Sequence, residues 1–305
     1  MVGMHGQKEA NQAVHNSDLL ITIGARFSDR VTGDVNHFAK NAVIAQIDID
    51  ESEIDKNVVV DLSLIGDMRE ILSRLLEKTE KKKNPVWLEK IDSFRVPKAI
   101  SEDAFVPQNI FKVIPEVLGD DVIVATDVGQ HQMWTAQEWP FTKPRTNITS
   151  GGLGTMGYGL GAASGAKVGR PEKTVINVAG DGCSRMNMNE IATAARYNIP
   201  VIEVVINNHV LGMVRQWQTL FYGERYSSTI LQDDVDFVKV AEALGAVGIR
   251  VSTKEEMGPA LEKAIAMNRP VVIDCQIDRD DKVFPMVPAG APIEDAFDQD
   301  DLKKE

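Results

Sequence analysis

The sequence predicts an α/β fold in which parallel sheets are flanked by helices. Two runs of β-branched and small residues, Thr174–Ala179 and Val201–Ile206, are typical of strands that are buried on both faces. The residues between them, Asn187–Tyr197, predict a helix. Because a helix that joins two such strands normally returns the chain so that they lie parallel, these segments predict a strand–helix–strand unit.

Helices and strands also alternate on either side of this unit. We interpret residues 1–80 and 104–290 as two domains, residues 81–103 as a charged linker with Pro85 and Pro97 as breakers, and residues 291–305 as an acidic tail. The predicted elements of the first domain are helices at Gln7–Asn16 and Asp67–Lys78 and strands at Leu19–Gly24 and Val43–Asp48. Those of the second are helices at Pro107–Val117, Gly157–Val168, Phe237–Leu244 and Lys254–Met267, and strands at Val122–Ala125 and Val271–Cys275.

The composition excludes several classes of protein. The chain has 305 residues, of which 43% are hydrophobic, so it can build a substantial core. Its net charge of −12, without a long basic block, argues against nucleic acid as a partner. Two cysteines give no disulfide framework and are typical of a reducing cytoplasm. No segment approaches the about 18 consecutive apolar residues of a membrane helix, so we expect no membrane partner.

Polar side chains follow both strands of the central unit. Asp181 lies in Gly-Asp-Gly after the first strand, and Asn208 lies in Asn-Asn after the second. The carboxyl ends of parallel strands meet at one edge of a sheet, where α/β proteins bind ligands. Carboxylate and amide oxygens suit Mg²⁺, which commonly binds phosphates as well. An ordinary polar turn is the alternative, but the spacing favours a metal-bound diphosphate.

This arrangement resembles the thiamine diphosphate (ThDP) motif of ThDP-dependent enzymes. The segments Thr126–Trp134, Thr149–Gly157 and Leu211–Gln218 resemble the large, catalytic subunits of the acetohydroxyacid synthase (acetolactate synthase) family. Three segments upstream resemble the FAD-binding middle domain of that family: Gly3–Gly6, Gly24–Gly33 and Ile47–Asp50. The resemblance therefore implies a ThDP-diphosphate-binding domain at 104–290, preceded by the C-terminal part of a Rossmann-like FAD-binding domain at 1–80.

The resemblance assigns the diphosphate and metal contacts residue by residue. The metal ligands are Asp181, Asn208 and the carbonyl of Val210. The diphosphate contacts are Gly129, Gln130 and His131 together with the backbone N–H groups of Gly182 and Cys183, at the start of a helix. The family commonly reads Gly-Asp-Gly-Ser-Phe. Here Cys183 replaces the hydroxyl with a weaker hydrogen-bonding thiol, and Ser184 replaces the aromatic residue.

Three residues are expected to contact the organic part of the cofactor. By resemblance, Met156 wedges between the two ThDP rings, the carbonyl of Gly154 accepts a hydrogen bond from the pyrimidine amine, and Met213 lies against the aminopyrimidine. Such a wedge brings the amine close to the reactive carbon of the thiazolium ring. The alternative for a lone methionine is to fill a gap in a core.

The resemblance also implies substrate contacts and FAD. Trp217 would line the pocket of the second 2-oxo acid and favour 2-oxobutyrate, and Arg30 would bind its carboxylate, although a surface arginine beside Asp29 is the alternative. The FAD positions are Met4, His5, Gly6, Gly24, Arg26, Asp48 and Asp50. The region has no Gly-x-Gly-x-x-Gly fingerprint, so FAD enters on resemblance, and in this family it has no net redox role.

The implied reaction is the decarboxylation of pyruvate and transfer of its hydroxyethyl unit to a second 2-oxo acid, in isoleucine and valine biosynthesis. The family's glutamate that acts on the pyrimidine ring belongs to a pyrimidine domain, and no glutamate here matches it. We therefore expect the chain to have little or no activity without a polypeptide that supplies this domain. Family members form homo-oligomers, often with a small regulatory subunit.

Two alternatives stay open from the sequence. One is another ThDP-dependent carboligase or decarboxylase, for example of the pyruvate oxidase kind, against which Trp217 argues. The other is a non-catalytic assembly or binding subunit, which the departures at Cys183 and Ser184 keep open.

Overall fold

In the computed structural model, the described residues are 1–95, 101, 103–231 and 235–303. Part of the predicted linker, including Pro97, and the last two residues of the predicted tail lie outside them. The chain divides into two units, one formed by Met1–Lys98 with Phe284–Glu305 and the other by Ala99–Val283. Both contain parallel sheets with helices, which confirms the predicted α/β class.

The first unit is built on a three-stranded parallel sheet in the order β1–β2–β3. Its strands are β1 (Leu19–Ile23), β2 (Val43–Asp48) and β3 (Leu62–Ile65). Its helices are α1 (Lys8–His15), α2 (Asp29–Thr32), α3 (Met68–Leu76) and α4 (Pro85–Ser93). Pro85 begins α4, so its interpretation as a breaker was wrong. Proline has no N–H to donate and a helix-compatible φ, so it is tolerated in the first turn.

The segment after residue 283 returns to this first unit. It contains two short 3₁₀ turns, Ile293–Asp295 and Asp301–Lys303, and a third such turn, Glu51–Glu53, follows β2. Ile293 is buried, and Lys8 donates hydrogen bonds to the carboxylates of both Asp298 and Asp301. The acidic residues near the C-terminus are thus held by a lysine from the start of the chain.

The second unit contains a six-stranded, wholly parallel sheet in the order β5–β4–β6–β7–β9–β8. Its strands are β4 (Val122–Thr126), β5 (Asn147–Thr149), β6 (Thr174–Gly180), β7 (Ile202–Asn207), β8 (Val247–Val251) and β9 (Val271–Gln276). Its helices are α5 (Pro107–Leu118), α6 (Gln130–Glu138), α7 (Gly159–Gly169), α8 (Asp181–Asn187), α9 (Glu190–Arg196), α10 (Gly212–Phe221), α11 (Phe237–Ala243) and α12 (Lys254–Met267).

Both faces of this sheet are covered. Along β4, Val122 and Val124 pack into one hydrophobic cluster with α5 and α12, whereas Ile123 and Ala125 pack into another with α7 and α9. Successive side chains of a strand point to opposite faces, so a strand buried on both sides must be apolar throughout. This explains why the sequence predicted these strands so closely.

The helix predicted at Asn187–Tyr197 corresponds to α9, and a separate helix, α8, precedes it and begins directly after β6. In α9, Ile191 and Ala194 pack on the core, as a helical pattern requires. In α8 the buried residues are Asp181, Cys183 and Ser184, which give no apolar periodicity. The apolar pattern therefore does not reveal α8, although the expected phosphate contacts placed Gly182 and Cys183 at the start of a helix.

One carboxyl group lies within the core of this unit. Glu203, in the middle of β7, is 1% exposed and accepts hydrogen bonds from Ser184 Oγ at 2.9 Å and Asn177 Nδ2 at 3.4 Å. Burial raises the pKa of Glu203 to about 7, because the charged form is poorly solvated there. Ser184, which replaces the aromatic residue of the family motif, thus donates a hydrogen bond to a buried acid.

We expect Glu203→Gln to change how stability depends on pH. The folded pKa of about 7 exceeds the unfolded value of 4.5, so the stabilising contribution of this group is complete below 4.5 and is lost as the pH rises through 7. At about pH 8 the variant should exceed the wild type by on the order of 3 kcal/mol in the free energy of unfolding. Urea titrations followed by circular dichroism at about pH 5 and pH 8 test this.

The control is Glu262→Gln, on the exposed side of α12, which should follow the wild type at both pH values. A difference between Glu203→Gln and the wild type that does not change with pH would contradict the prediction.

Candidate functional site

The carboxyl ends of β4, β6 and β7 lie side by side in the second sheet. From β4 the chain proceeds to β5 on one side, and β6 lies on the other, so the winding of the sheet changes direction between β4 and β6. Ligands of α/β proteins bind in the crevice outside the carboxyl ends at such a point. Loops from all three strands meet there and lead into α6, α8 and α10.

A cavity of about 180 Å³ opens at this edge. Every site residue predicted in the second unit lines it except Trp217: Gly129, Gln130, His131, Gly154, Met156, Asp181, Gly182, Cys183, Asn208, Val210 and Met213. Sequence reasoning missed the rest of the lining, which is largely apolar: Val128, Trp134, Gly180, Ile206, Leu211, Gly212 and Val214. The cavity thus combines a few polar groups with an apolar wall, as small-molecule sites do.

The two predicted metal-ligand side chains are buried in this cavity. Asp181 is 2% exposed, and its Oδ1 accepts the N–H of Gly182 at 2.9 Å. Its Oδ2 is buried and has no hydrogen-bond partner within the described part of the chain. Burial raises the pKa of Asp181 to about 6. A buried carboxylate oxygen without a partner is costly, and a cation would compensate it.

Asn208 enters the same cavity from the end of β7. Its Nδ2 donates to Gln130 Oε1 at 3.3 Å, and its Oδ1 accepts the N–H of Val210 at 3.3 Å. Among the described residues, no group of three or more His, Cys, Asp or Glu side chains could hold a metal ion. A metal here would use one carboxylate, one amide oxygen and a carbonyl, which is a donor set that fits Mg²⁺ bound to phosphate oxygens.

His131 packs against the backbone of two glycines. A Cβ on Gly129 or Gly180 would lie 2.8 Å from the imidazole ring, so neither position tolerates a side chain without movement. His131 Nε2 is buried and finds no hydrogen-bond partner among the residues that the structure describes. Burial lowers the pKa of His131 to about 4, so the ring is neutral near pH 7 and can offer one N–H donor.

Asp127 holds the loop that carries Met156, a role that the sequence analysis missed. Its carboxylate accepts the N–H groups of Gly157 at 2.7 Å and Gly159 at 3.1 Å, and also that of Val128. These bonds fix the backbone directly after Met156 to the end of β4. The sequence signal that could have identified Asp127 is its position directly after β4, a strand whose residues are all buried.

The two residues that depart from the family motif, Cys183 and Ser184, have different hydrogen-bond partners. Cys183 donates its thiol to the carbonyl of Val128 at 2.9 Å, and burial raises the pKa of this thiol, which stays protonated. Ser184 instead binds Glu203 in the core. The backbone around Gly182 keeps its close packing, because a Cβ there would lie 2.7 Å from Leu211.

Trp217 lies in a more open groove of about 550 Å³ along α10, beside the cavity. Met213 and Val214 line both the groove and the cavity. The ring of Trp217 contacts that of Phe221, with centroids 5.0 Å apart. The groove therefore places an aromatic wall next to the cavity on the same helix.

In the first unit, the Met4–Gly6 turn lies against α2. Met4 N donates to the carbonyl of Arg30 at 2.8 Å, while the guanidinium of Arg30 is exposed and pairs with Asp29 at 2.8 Å. His5 is buried, and desolvation, helped by the Arg30 charge, lowers its pKa to about 4. Thus the turn and Arg30 adjoin through backbone contacts.

The other predicted FAD positions share one edge of the three-stranded sheet. Gly24 and Arg26 follow β1, and Asp48 and Asp50 lie at the end of the neighbouring strand β2. Asp48 Oδ1 accepts the N–H of Asp50 at 3.0 Å, and Asp50 Oδ1 accepts that of Ser52 at 2.9 Å. The side chain of Ser52 also donates to the Asp50 carboxylate, which lowers the pKa of Asp50. In the described segments, no helix is long and apolar enough to cross a bilayer.

Two family models match this chain. Residues 1–75 match the thiamine pyrophosphate enzyme central domain, and residues 127–275 match the thiamine pyrophosphate enzyme C-terminal TPP binding domain. The second match begins directly after β4, extends into β9 and contains all the cavity residues described above.

The chain is also similar to curated proteins from bacteria and archaea. It is 48% identical to the acetolactate synthase large subunit of Corynebacterium glutamicum, over 95% of this chain and 49% of that protein. It is 40% identical to the acetolactate synthase isozyme 3 large subunit of Escherichia coli, over 97% of this chain and 54% of the relative. It is 45% identical to a probable acetolactate synthase large subunit of Methanocaldococcus jannaschii, over 95% of this chain and 51% of that protein.

The chain thus spans about half the length of the curated relatives that it matches. Both of its matched regions are thiamine pyrophosphate enzyme domains, and the named relatives resemble it along nearly its whole length. The chain therefore belongs to the thiamine pyrophosphate enzyme family and is similar to acetolactate synthase large subunits.

Proposed function

We propose that this chain binds ThDP with Mg²⁺ in its second unit and forms part of an acetolactate synthase catalytic subunit. The reaction is decarboxylation of pyruvate and transfer of the hydroxyethyl unit to a second 2-oxo acid, in branched-chain amino-acid biosynthesis. One observation carries the proposal: Asp181 and Asn208, from adjacent strands, line one cavity in which an oxygen of Asp181 and a nitrogen of His131 have no partner among the described residues.

The proposed roles follow from the donors and acceptors in the cavity. Asp181, Asn208 and the carbonyl of Val210 would hold Mg²⁺. The diphosphate would be bound by His131 and by the backbone N–H groups after Gly129 and around Gly182 and Cys183, which lie close enough for a phosphate to approach. When bound, ThDP supplies the electron sink for decarboxylation.

The loop held by Asp127 would shape the cofactor. Met156 lines the cavity beside Gly154, and its backbone is fixed through the N–H groups of Gly157 and Gly159. A wedge must be rigid in order to hold two rings in a reactive arrangement. Met213, at the start of α10, lines the cavity and would pack on the pyrimidine.

The remaining assignments rest on the family resemblance. Trp217 would favour 2-oxobutyrate over pyruvate as acceptor, and Arg30 would bind the acceptor carboxylate. FAD would bind, without a redox role, to the turn around His5 and to the edge formed by Gly24, Arg26, Asp48 and Asp50. The proposed partners are a second copy of this chain, a polypeptide with the pyrimidine domain and a small regulatory subunit, in the cytoplasm.

We expect Asp181→Ala to raise the Kd for ThDP, measured in Mg²⁺ by titration calorimetry, at least about tenfold. The thermal stability of the cofactor-free variant should not fall, because the substitution removes a buried carboxyl with an unpaired oxygen. Asp120→Ala is the control, since Asp120 is exposed and precedes β4 at the opposite end of the strand. Equal ThDP affinity of Asp181→Ala and the wild type would refute the metal assignment.

Alone with pyruvate, the pure chain should form little or no acetolactate, because no glutamate here matches the one that acts on the pyrimidine ring. Adding a polypeptide with the pyrimidine domain should restore product, and the same mixture with Asp181→Ala should not. Full turnover by the pure chain would refute the need for a partner. Cofactor binding without restored activity would favour a non-catalytic binding subunit.

With the partner present, Trp217→Leu should lower the preference for 2-oxobutyrate over pyruvate as acceptor. One methylene in such a pocket contributes ~1–3 kcal/mol, so the product ratio in a competition assay should fall by about tenfold or more. Tyr197→Leu, an exposed aromatic residue outside α10, should leave the ratio unchanged. An unchanged ratio in Trp217→Leu would favour another ThDP-dependent carboligase.

A further inference from the structure

Three buried amide side chains form a continuous row from α10 to the cavity. Gln130 Nε2 lies 2.9 Å from Gln216 Oε1, and Asn208 Nδ2 lies 3.3 Å from Gln130 Oε1. All three side chains are at most 5% exposed. The two ends of an amide have nearly the same shape but opposite hydrogen-bonding character, so their partners decide which end faces the cavity.

The outer end of this row is fixed by main-chain atoms. Gln216 Nε2 donates to the carbonyl of Val283 at 3.0 Å, and Gln216 Oε1 accepts the N–H of Val283 at 2.8 Å. A backbone carbonyl only accepts and a backbone N–H only donates, so the Gln216 amide has one permitted orientation. That orientation presents its oxygen to Gln130.

The orientation of the Gln130 amide in turn determines the orientation of the Asn208 amide. Gln130 Nε2 donates both to Gln216 Oε1 and to the carbonyl of Asp281, at 3.0 Å, so two acceptors require the NH₂ group on that side. Its oxygen must then face Asn208. A Cβ on Gly212 would lie 1.9 Å from Gln130 Oε1 and 2.9 Å from Asn208 Nδ2, so the glycine leaves the space in which these two amides meet.

We infer that Gln216 is a positioning residue that makes Asn208 present its oxygen, not its NH₂ group, to a cation. Asn208 must direct Nδ2 toward Gln130 Oε1, so Oδ1, which also accepts the N–H of Val210 at 3.3 Å, keeps its second lone pair for coordination. This inference rests on the proposed function, in which Asn208 is a Mg²⁺ ligand. In this inference the side chain of Gln130 orients Asn208, while the backbone N–H of Gln130 remains the proposed diphosphate contact.

The test is Gln216→Met, which keeps the length of the side chain and removes its polarity. Outer residues that orient a ligand typically contribute 10–100-fold to metal affinity, so the Kd for Mg²⁺ at saturating ThDP should rise about tenfold or more. Gln132→Met is the matched control, because Gln132 lies on the same helix as Gln130 but donates to Thr149 at an exposed position. The control should bind Mg²⁺ like the wild type.

The same substitution made in the Asn208→Asp variant distinguishes an effect on amide orientation from a general loss of packing. In Asn208→Asp both side-chain oxygens can coordinate, so the orientation no longer matters. Adding Gln216→Met to Asn208→Asp should therefore not weaken Mg²⁺ binding further, and this coupling is the signature of the inference. A merely structural role would weaken both backgrounds equally.

Two results would overturn the inference while leaving the proposed function intact. One is wild-type Mg²⁺ affinity in Gln216→Met, and the other is an equal loss of affinity in both backgrounds. Absence of any Mg²⁺-dependent ThDP binding by the wild-type chain would instead overturn the proposed function, and the inference with it.

Discussion

The adjacency of β4, β6 and β7 in one parallel sheet is the constraint on which the rest of the structure depends. In the pairing of β6 with β7, Gly180 lies opposite Ile206, so the residues that follow each strand emerge at the same height. Asp181 and Asn208 thereby reach one cavity from segments that are far apart in sequence. A slip of one residue in this register would exchange the two faces of a strand and turn these side chains away.

The cavity is surrounded by polar groups whose partners are nearly all accounted for. Asp127 binds backbone N–H groups, and the amides of Gln130 and Gln216 bind one another and the main chain. Against this background, three buried atoms of residues that line the cavity have no partner in the described part of the protein: Asp181 Oδ2, His131 Nε2 and Trp134 Nε1. Buried polar atoms are normally satisfied, so the occurrence of these exceptions around one cavity points to a bound ligand.

The sequence predicted those features of the fold and the site that depend on a pattern of neighbouring residues. Strands such as β4 and β7 are apolar throughout because both of their faces are covered, and Asp181 and Asn208 stand out directly after such strands. It did not give the bounds of α8, because the buried residues of that helix show no helical apolar spacing. Nor did it reveal Gln216 or the pairing of Lys8 with Asp298, since those contacts join residues 67 and 290 positions apart and have no signature within either segment.

The hydrogen bond between Ser184 and Glu203 limits how this sequence can change. The motif that this segment resembles commonly has an aromatic residue at position 184, whereas here the hydroxyl donates to Oε1 of the buried Glu203, whose Oε2 has no partner among the described residues. An aromatic side chain introduced alone would leave Glu203 without its closest donor, and an apolar residue in place of Glu203 would leave the buried Ser184 hydroxyl without its acceptor. The two sites are therefore epistatic, because substitution at either one changes which residues are tolerated at the other.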